Sequence, residues 1–211
     1  MPLLQGSSIT DEAKAYDVFT STRSEIADAF TERKAFSNSK IIAYETALAF
    51  AKQRKPNFDL VHVLPGYMQG ASELYETAED MKNDFNEATI EAALGKINGT
   101  PKMIAQVLLH DVAGVLVLAL DTKAVRSMEN LVVVSNHGQG ASWDDIAAIV
   151  ARFYPKEVQA GVLNPIKGQK DLKLHFDVRT SEKAWGNSFA DPVWIVRSVV
   201  DQYLELLGKD K

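Results

Sequence analysis

One ten-residue stretch carries most of the information about the fold: Asn57-Phe58-Asp59-Leu60-Val61-His62-Val63-Leu64-Pro65-Gly66. Residues 58–64 are apolar at nearly every position, which is typical of a strand covered on both faces, as in a parallel sheet. Pro65-Gly66 predicts that the strand ends there. Parallel strands need helical connections, so this stretch favours an α/β protein.

The segments on either side support that class. Before the stretch, apolar residues recur at helical spacings of three and four, and Pro56 requires that helix to stop. After it, residues 131–134 predict a second buried strand, and Ser142 and Asp145 predict a capping box at the start of a further helix. The apolar residues of the first helix are Ile41, Tyr44, Leu48 and Ala51.

Shorter elements are predicted from weaker patterns. The acidic residues between 73 and 87 are interpreted as a solvated helix face, and residues 1–35 as an irregular segment. Asp191-Pro192 is typical of a helix start, with the aspartate as cap and the proline in the first turn. The remaining predictions are strands at 103–109 and 174–176, a loop at 161–173 and a helix at 110–120.

Composition and charge exclude several kinds of function. The 211 residues contain no cysteine, which excludes disulfides, thiolate metal sites and a cysteine nucleophile. The formal charge is −5, with no long basic run, so an electrostatic argument for nucleic-acid or anionic-membrane binding is missing. No apolar run approaches the roughly 20 residues that span a bilayer. We therefore expect a cytoplasmic protein without nucleic-acid or membrane partners.

Two motifs that could carry chemistry have simpler explanations. Gly138-Gln139-Gly140 follows a strand and precedes a helix, but Trp143 occupies the third glycine position of a dinucleotide-binding turn, so we interpret it as an ordinary tight turn. His62 is predicted to be a hydrogen-bonded core residue. His110-Asp111 lacks the G-x-S-x-G elbow that a catalytic triad of this kind would need.

Five segments together resemble a known family: Phe36-Ser37-Asn38-Ser39-Lys40, Pro65-Gly66, residues 109–113, residues 130–154 and residues 177–207. Their order and spacing are similar to the extended short-chain dehydrogenases/reductases, the NAD-dependent epimerase/dehydratase superfamily. Within it, the resemblance is strongest to fungal-type carbonyl or aldehyde reductases of the dihydroflavonol-reductase kind. It covers about residues 36–207.

The resemblance implies a fold and an activity. Residues 36–211 would form the last strands of a partial Rossmann-like parallel sheet with a C-terminal α/β substrate lobe. The cofactor would be NADP or NAD, and the substrate a small carbonyl metabolite. In the family a tyrosine protonates the carbonyl oxygen during hydride transfer, and a lysine four residues later lowers the pKa of that tyrosine and holds the nicotinamide ribose.

The resemblance also assigns residues. Lys40 matches the family lysine, and Ser8 is a weak match to the catalytic serine or threonine. Pro65 and Gly66 correspond to the turn beside the nicotinamide. The substrate pocket would include Tyr67, Met68 and His110.

Two departures put activity in doubt. The tyrosine position is Phe36, which has no proton to give, and the family's N-terminal half with its glycine-rich turn has no counterpart. We therefore expect weak nucleotide binding and a chain that is truncated or inactive alone. Tyr44, four residues after Lys40, is the alternative acid.

Two other functions stay open. One is a cofactor-independent isomerase or dehydratase that acts on a small carbonyl compound around Lys40, Tyr67 and His110. The other is a non-catalytic interaction module, because strands built for burial would expose an edge that seeks a partner. A homodimer through the helix at 37–54 would be one form of it.

Overall fold

The computed structural model describes residues 32–209, with side chains from residue 39 onward. Ser8 lies outside the described residues, as does nearly all of the segment 1–35. The helices are α1 Glu32–Arg54, α2 Ala78–Lys82, α3 Glu87–Leu94, α4 Leu109–Leu118, α5 Trp143–Phe153, α6 Pro155–Gln159, α7 Arg179–Trp185 and α8 Pro192–Lys209. The strands are β1 His62–Pro65, β2 Tyr67–Gln69, β3 Lys102–Ile104, β4 Gln106–Leu108, β5 Asn130–Val133 and β6 Asp171–Lys173.

The strands form three parallel pairs, β1–β5, β2–β4 and β3–β6. In the first pair His62 lies opposite Asn130, and Pro65 lies opposite Val133. In the second pair Tyr67 lies opposite Gln106. Helices between parallel strands confirm the α/β class that the sequence predicts.

Gly66 is the point at which the chain changes its pairing partner. Its N–H donates to the carbonyl of Val133 at 3.0 Å, while the next N–H, of Tyr67, donates to the carbonyl of Ala105 at 2.7 Å. A Cβ on Gly66 would lie 1.9 Å from the Ala105 oxygen. Only glycine, which has no Cβ, allows the chain to lie this close to Ala105. The chain can therefore run from β1, which pairs with β5, directly into β2, which pairs with β4.

The predicted burial of the two main strands is correct for β5 and wrong for β1. Residues 131–134 are almost completely buried, whereas residues 61–64 are half-buried and Phe58 is 57% exposed. The predicted strand at 58–64 forms a ladder only from His62 onward. Among residues 32–209, β1 pairs with β5 alone, so one edge of an apolar strand stays uncovered.

Two apolar cores hold the described residues together. One lies between α2, α3, α5 and α8, and it buries residues of the predicted face of α8, including Val199 and Leu206. The other surrounds β4 and β5 and includes α4 and α7. The Asp191 carboxylate accepts the Val193 N–H at 2.8 Å, as expected for a cap.

Most other predicted elements are confirmed with shifted bounds. The Ser142–Asp145 capping box is present, but α1 already begins at Glu32, inside the segment predicted to be irregular. The predicted strand at 103–109 is broken at Ala105, where β4 takes up its pairing with β2. The strand predicted at 174–176 lies three residues earlier, at Asp171–Lys173, because it pairs with β3. Within the described range, none of the helices is both long and apolar enough to cross a membrane.

Candidate functional site at the carboxyl edge of the parallel strands

The ends of β1 and β5 form a common edge of the sheet. Pro65 is the last residue of β1 and Gly66 follows it, while Val134 and Ser135 follow β5. The N–H of Gly66 donates to the carbonyl of Val133, the last residue of β5, at 3.0 Å. Tyr67 is 41% exposed at this edge. In open α/β sheets, ligands bind beyond the carboxyl ends of the strands. This edge is therefore the candidate site.

Helix α1 runs back alongside β1. Near its end, the ring of Phe50 stacks on Phe58, which precedes β1, with 6.4 Å between centroids. Tyr44, earlier in the helix, contacts His62 at the first residue of β1, with 4.4 Å between ring centroids. Lys40 lies about 6 Å further toward the carboxyl edge, because an α-helix rises about 1.5 Å per residue. The role that the resemblance implies for Lys40 stays a prediction.

Tyr44 does not reach the carboxyl edge. Its hydroxyl accepts a hydrogen bond from the Asn130 side-chain amide at 2.7 Å, at the first residue of β5. The alternative in which Tyr44 replaces the missing acid is therefore not supported. Phe36 lies in α1 one turn before Lys40, and its side chain is outside the described part.

His62 is not the hydrogen-bonded residue that the sequence predicts. Both ring nitrogens are buried, and neither has a hydrogen-bond partner among the described residues. Burial lowers the pKa of His62 from its ordinary value, since desolvation disfavours the charged ring. The ring instead packs against Tyr44. His62 therefore joins α1 to the sheet as an aromatic contact.

His110 lies at a different place from Tyr67 and Met68. It is exposed in the first turn of α4 and lines a cleft of about 470 Å³ with Gly70, Leu109, Trp194 and Ser198. Tyr67 and Met68 do not line this cleft. Gly70 lies four residues beyond Gly66, about 13 Å along an extended chain. The structure thus places Pro65, Gly66 and Tyr67 together at the end of β1. His110 lies apart from them, beside Gly70 at the far end of β2.

The two glycines of the 138–140 turn are explained by packing. A Cβ on Gly138 would lie 1.9 Å from the carbonyl of Phe176, and a Cβ on Gly140 would lie 2.8 Å from the side chain of Gln106. Close packing against protein atoms therefore requires glycine at both positions, which is consistent with a tight turn.

Asp111 and Gln106 accept backbone hydrogen bonds that the sequence does not predict. Asp111 is buried and accepts the backbone N–H of Ala190 at 2.7 Å, which holds the chain before α8 against α4. Gln106 is buried and accepts the N–H of Ala141 at 3.0 Å. The simple reading of His110-Asp111 as a non-catalytic pair is consistent with this arrangement.

The strongest pKa shifts also belong to structural contacts. Burial and the neighbouring Asp84 carboxylate raise the pKa of Tyr75 to about 12. Burial and Asp201 raise the pKa of Tyr154, whose hydroxyl donates to that carboxylate at 2.6 Å. Neither tyrosine is thereby activated as an acid, because a raised pKa makes proton donation harder.

Ketoreductases are similar to this chain in sequence. A ketoreductase from Cercospora beticola is 36% identical over 181 residues, which is 84% of this chain and 50% of that protein. A ketoreductase from Aspergillus fumigatus is 24% identical and also covered over 50% of its length. No protein-family profile matches the chain. The chain is thus similar to ketoreductases over most of its own length.

Solved members of this fold share the arrangement. The yeast methylglyoxal/isovaleraldehyde reductase Gre2, solved with NADPH, superposes with a TM-score of 0.66 at 20% identity, over 85% of this chain and 54% of Gre2. Vestitone reductase from alfalfa gives 0.60 at 16% identity, over 86% of this chain and 54% of that enzyme. The partial Rossmann-like fold is thus confirmed. The chain spans about half the length of the ketoreductases that it matches.

Proposed function

We propose that this chain is the substrate-side part of an NAD(P)H-dependent reductase of ketones or aldehydes, and that it neither binds the nucleotide tightly nor reduces a carbonyl by itself. The observation that carries the proposal is the β1–β5 pair, which ends at Pro65-Gly66, with α1 packed along β1 through the contact of Tyr44 with His62. That arrangement leaves Tyr67 exposed where a substrate carbonyl would lie.

The relatives support the reaction class. Two of them are named ketoreductases, and solved proteins of the same fold were crystallised with NADPH. The described residues can contribute Lys40 toward a nicotinamide ribose. They offer no glycine-rich turn for a pyrophosphate, because Gly138 and Gly140 pack against protein atoms.

The phenylalanine at position 36 supports inactivity of the isolated chain. A positioned general acid contributes about 10²–10⁴ to the rate of such a reaction. Tyr44 cannot supply the proton from its place beside Asn130. A small carbonyl metabolite could still lie against Tyr67, but without the acid and the nucleotide it would not be reduced.

The experiment is a titration of the purified chain with NADPH, followed by nucleotide fluorescence and calorimetry, with yeast Gre2 as the positive control. We expect no saturation at micromolar nucleotide, and NADPH oxidation with aldehydes and ketones at background. Micromolar binding would contradict the proposal. Conversion of a carbonyl compound without any nucleotide would instead favour the cofactor-independent isomerase.

A further inference from the structure

We propose that the cleft between α4 and α8 binds a small aromatic carboxylate, whose ring stacks on Trp194 and whose carboxylate pairs with Arg197. The inference goes beyond the proposed function, because this cleft lies apart from the carboxyl edge of β1 and β5 and its ligand needs no nucleotide. The evidence is a largely apolar cleft and two adjoining arginines that have no acidic partner in the described part of the chain.

The cleft has the size and the lining of a small-molecule site. Its volume is about 470 Å³, and it lies where the end of β2 meets the first turns of α4 and α8. Ligand pockets usually measure about 300–1,000 Å³ and combine mostly apolar walls with a few polar groups. Apolar side chains and Gly70 form most of the walls here, and His110 and Ser198 are the polar side chains.

Hydrogen bonds hold the walls of the cleft in place. The Ser198 hydroxyl of α8 accepts the N–H of Ala71 at 2.9 Å. The buried Asn86 side chain accepts the N–H of Gly70 at 3.0 Å and donates to its carbonyl at 2.9 Å. On the other side, the bond from Ala190 to the Asp111 carboxylate holds the start of α8 against α4. The cleft is therefore preformed, which lowers the cost of ordering it around a ligand.

Trp194 offers an aromatic ring to this cleft. It lies in the first turn of α8 and is 63% exposed, whereas Trp143 is 3% exposed in the core. Tryptophan is on average a largely buried residue, and aromatic rings gain stability when they pack against one another. An aromatic ligand would therefore cover an indole that the described part of the chain leaves bare.

Two arginines lie next to this indole. The Arg197 guanidinium is 6.0 Å from the ring centroid of Trp194 and 5.4 Å from that of Phe153. The Arg152 guanidinium is 5.2 Å from the same phenylalanine ring. Neither guanidinium has an ion-pair partner within the part of the chain that the structure describes. Asp201, one turn after Arg197 in α8, instead accepts a tyrosine hydroxyl at 2.6 Å.

The cleft and the arginines together select the chemistry of the ligand. A guanidinium presents parallel N–H donors whose geometry matches a carboxylate. Because Arg197 lies over the indole that lines the cleft, a ring packed on Trp194 brings its carboxylate toward that guanidinium. A neutral aromatic compound would leave the guanidinium unpaired, and an aliphatic acid would leave the indole bare.

The test is a titration of the full chain with 2-naphthoate, and with 2-naphthamide as its neutral counterpart, without any nucleotide. Calorimetry gives the affinities, and ¹⁵N NMR follows the indole N–H resonances. We expect 2-naphthoate to bind about tenfold more tightly than 2-naphthamide, the gain of one charge-assisted contact. It should move the resonance of Trp194 but not that of buried Trp143, whose N–H donates to the carbonyl of Ile166.

Variants assign the two halves of the ligand. Arg197→Gln should remove the preference for 2-naphthoate, whereas Trp194→Ala should weaken the binding of both compounds about tenfold. Arg126→Gln is the matched control, because Arg126 is exposed in the loop before β5, and it should leave both affinities unchanged. The comparison of the two compounds in the unaltered chain needs no variant, so the test does not depend on the folding of a substituted protein.

Three results would overturn the inference. They are no saturation by 2-naphthoate below about 1 mM, equal affinities for the two compounds, and an unchanged preference in a folded Arg197→Gln protein. The proposed function is tested separately, because these titrations contain no nucleotide. Tight NADPH binding would contradict that function and leave the aromatic carboxylate site standing.

Discussion

The hydroxyl of Tyr44 lies 2.7 Å from the side-chain amide nitrogen of Asn130, which joins the middle of α1 to the first residue of β5. This hydrogen bond sets the position of α1 relative to the strands of the sheet. Tyr44 is held at the amino end of the strands, and Lys40 lies one turn nearer the carboxyl edge. The same contact therefore keeps Tyr44 away from the carboxyl edge, where an acid beside Lys40 would be needed.

Tyr44→Phe should lower the free energy of unfolding by about 0.5–1.5 kcal/mol, the usual net contribution of one hydrogen bond. The ring contact with His62 would remain, so the loss reports the hydroxyl alone. Urea unfolding followed by circular dichroism measures it. Tyr67→Phe is the control, since the Tyr67 hydroxyl has no hydrogen bond within the described part of the chain; equal losses in the two variants would contradict the assignment.

His62 should make stability depend on pH. Burial lowers the folded-state pKa of His62 below its unfolded value of about 6.5, so the unfolded chain binds the proton more readily. The stabilisation is therefore complete above about pH 6.5 and is lost as the pH falls toward the folded pKa. Urea midpoints between pH 8 and pH 5 should fall less in His62→Leu than in the parent chain. Identical pH dependence of the two would refute this role for His62.

Gly66→Ala should destabilise the chain by about 3 kcal/mol or more, because its Cβ would overlap the Ala105 carbonyl and force the β1–β2 junction apart. Gly99→Ala is the matched control, since nothing lies within 4 Å of that Cβ, and it should change stability by less than about 0.5 kcal/mol. Thermal unfolding of both variants decides the point. A well-folded Gly66→Ala protein would mean that the residue is not required by packing.

Phe36→Tyr alone should leave NADPH oxidation with aldehydes at background. The substitution returns a hydroxyl four residues before Lys40, but an acid is useful only when a hydride donor is positioned beside the carbonyl. Turnover by this single variant would show that the cofactor argument is wrong.

The same substitution should have a large effect once a nucleotide-binding half is joined. A fusion of this chain to the unmatched half of the Cercospora beticola ketoreductase should reduce aldehydes about 10²–10⁴ times faster when it carries Phe36→Tyr than when Phe36 is kept. Steady-state NADPH oxidation measures the ratio. Equal rates in the two fusions would remove Phe36 from the explanation of inactivity.

The sequence by itself determined the class of fold and the elements that local chemistry specifies. Apolar runs identified both main strands, Pro56 ended the first helix, and the Ser142–Asp145 pair and Asp191-Pro192 marked two helix starts. Such signals are local, because caps, breakers and apolar periodicity act within a few residues. The family resemblance could also be recognised from the sequence, since it depends on the order and spacing of short motifs.

Tertiary structure alone decided which of these residues meet. The sequence predicts an apolar strand at 58–64. Only the strand pairing shows that one edge of β1 has no partner strand within residues 32–209. Only the structure shows that the chain changes its pairing partner from β5 to β4 at Gly66. It shows a histidine in that strand, but not that its nitrogens lack partners among the described residues and its ring packs on Tyr44. These features depend on segments that are far apart in the chain, such as Tyr44 and Asn130. Burial and pairing between distant segments are set by the packing of the whole domain, which no local pattern encodes.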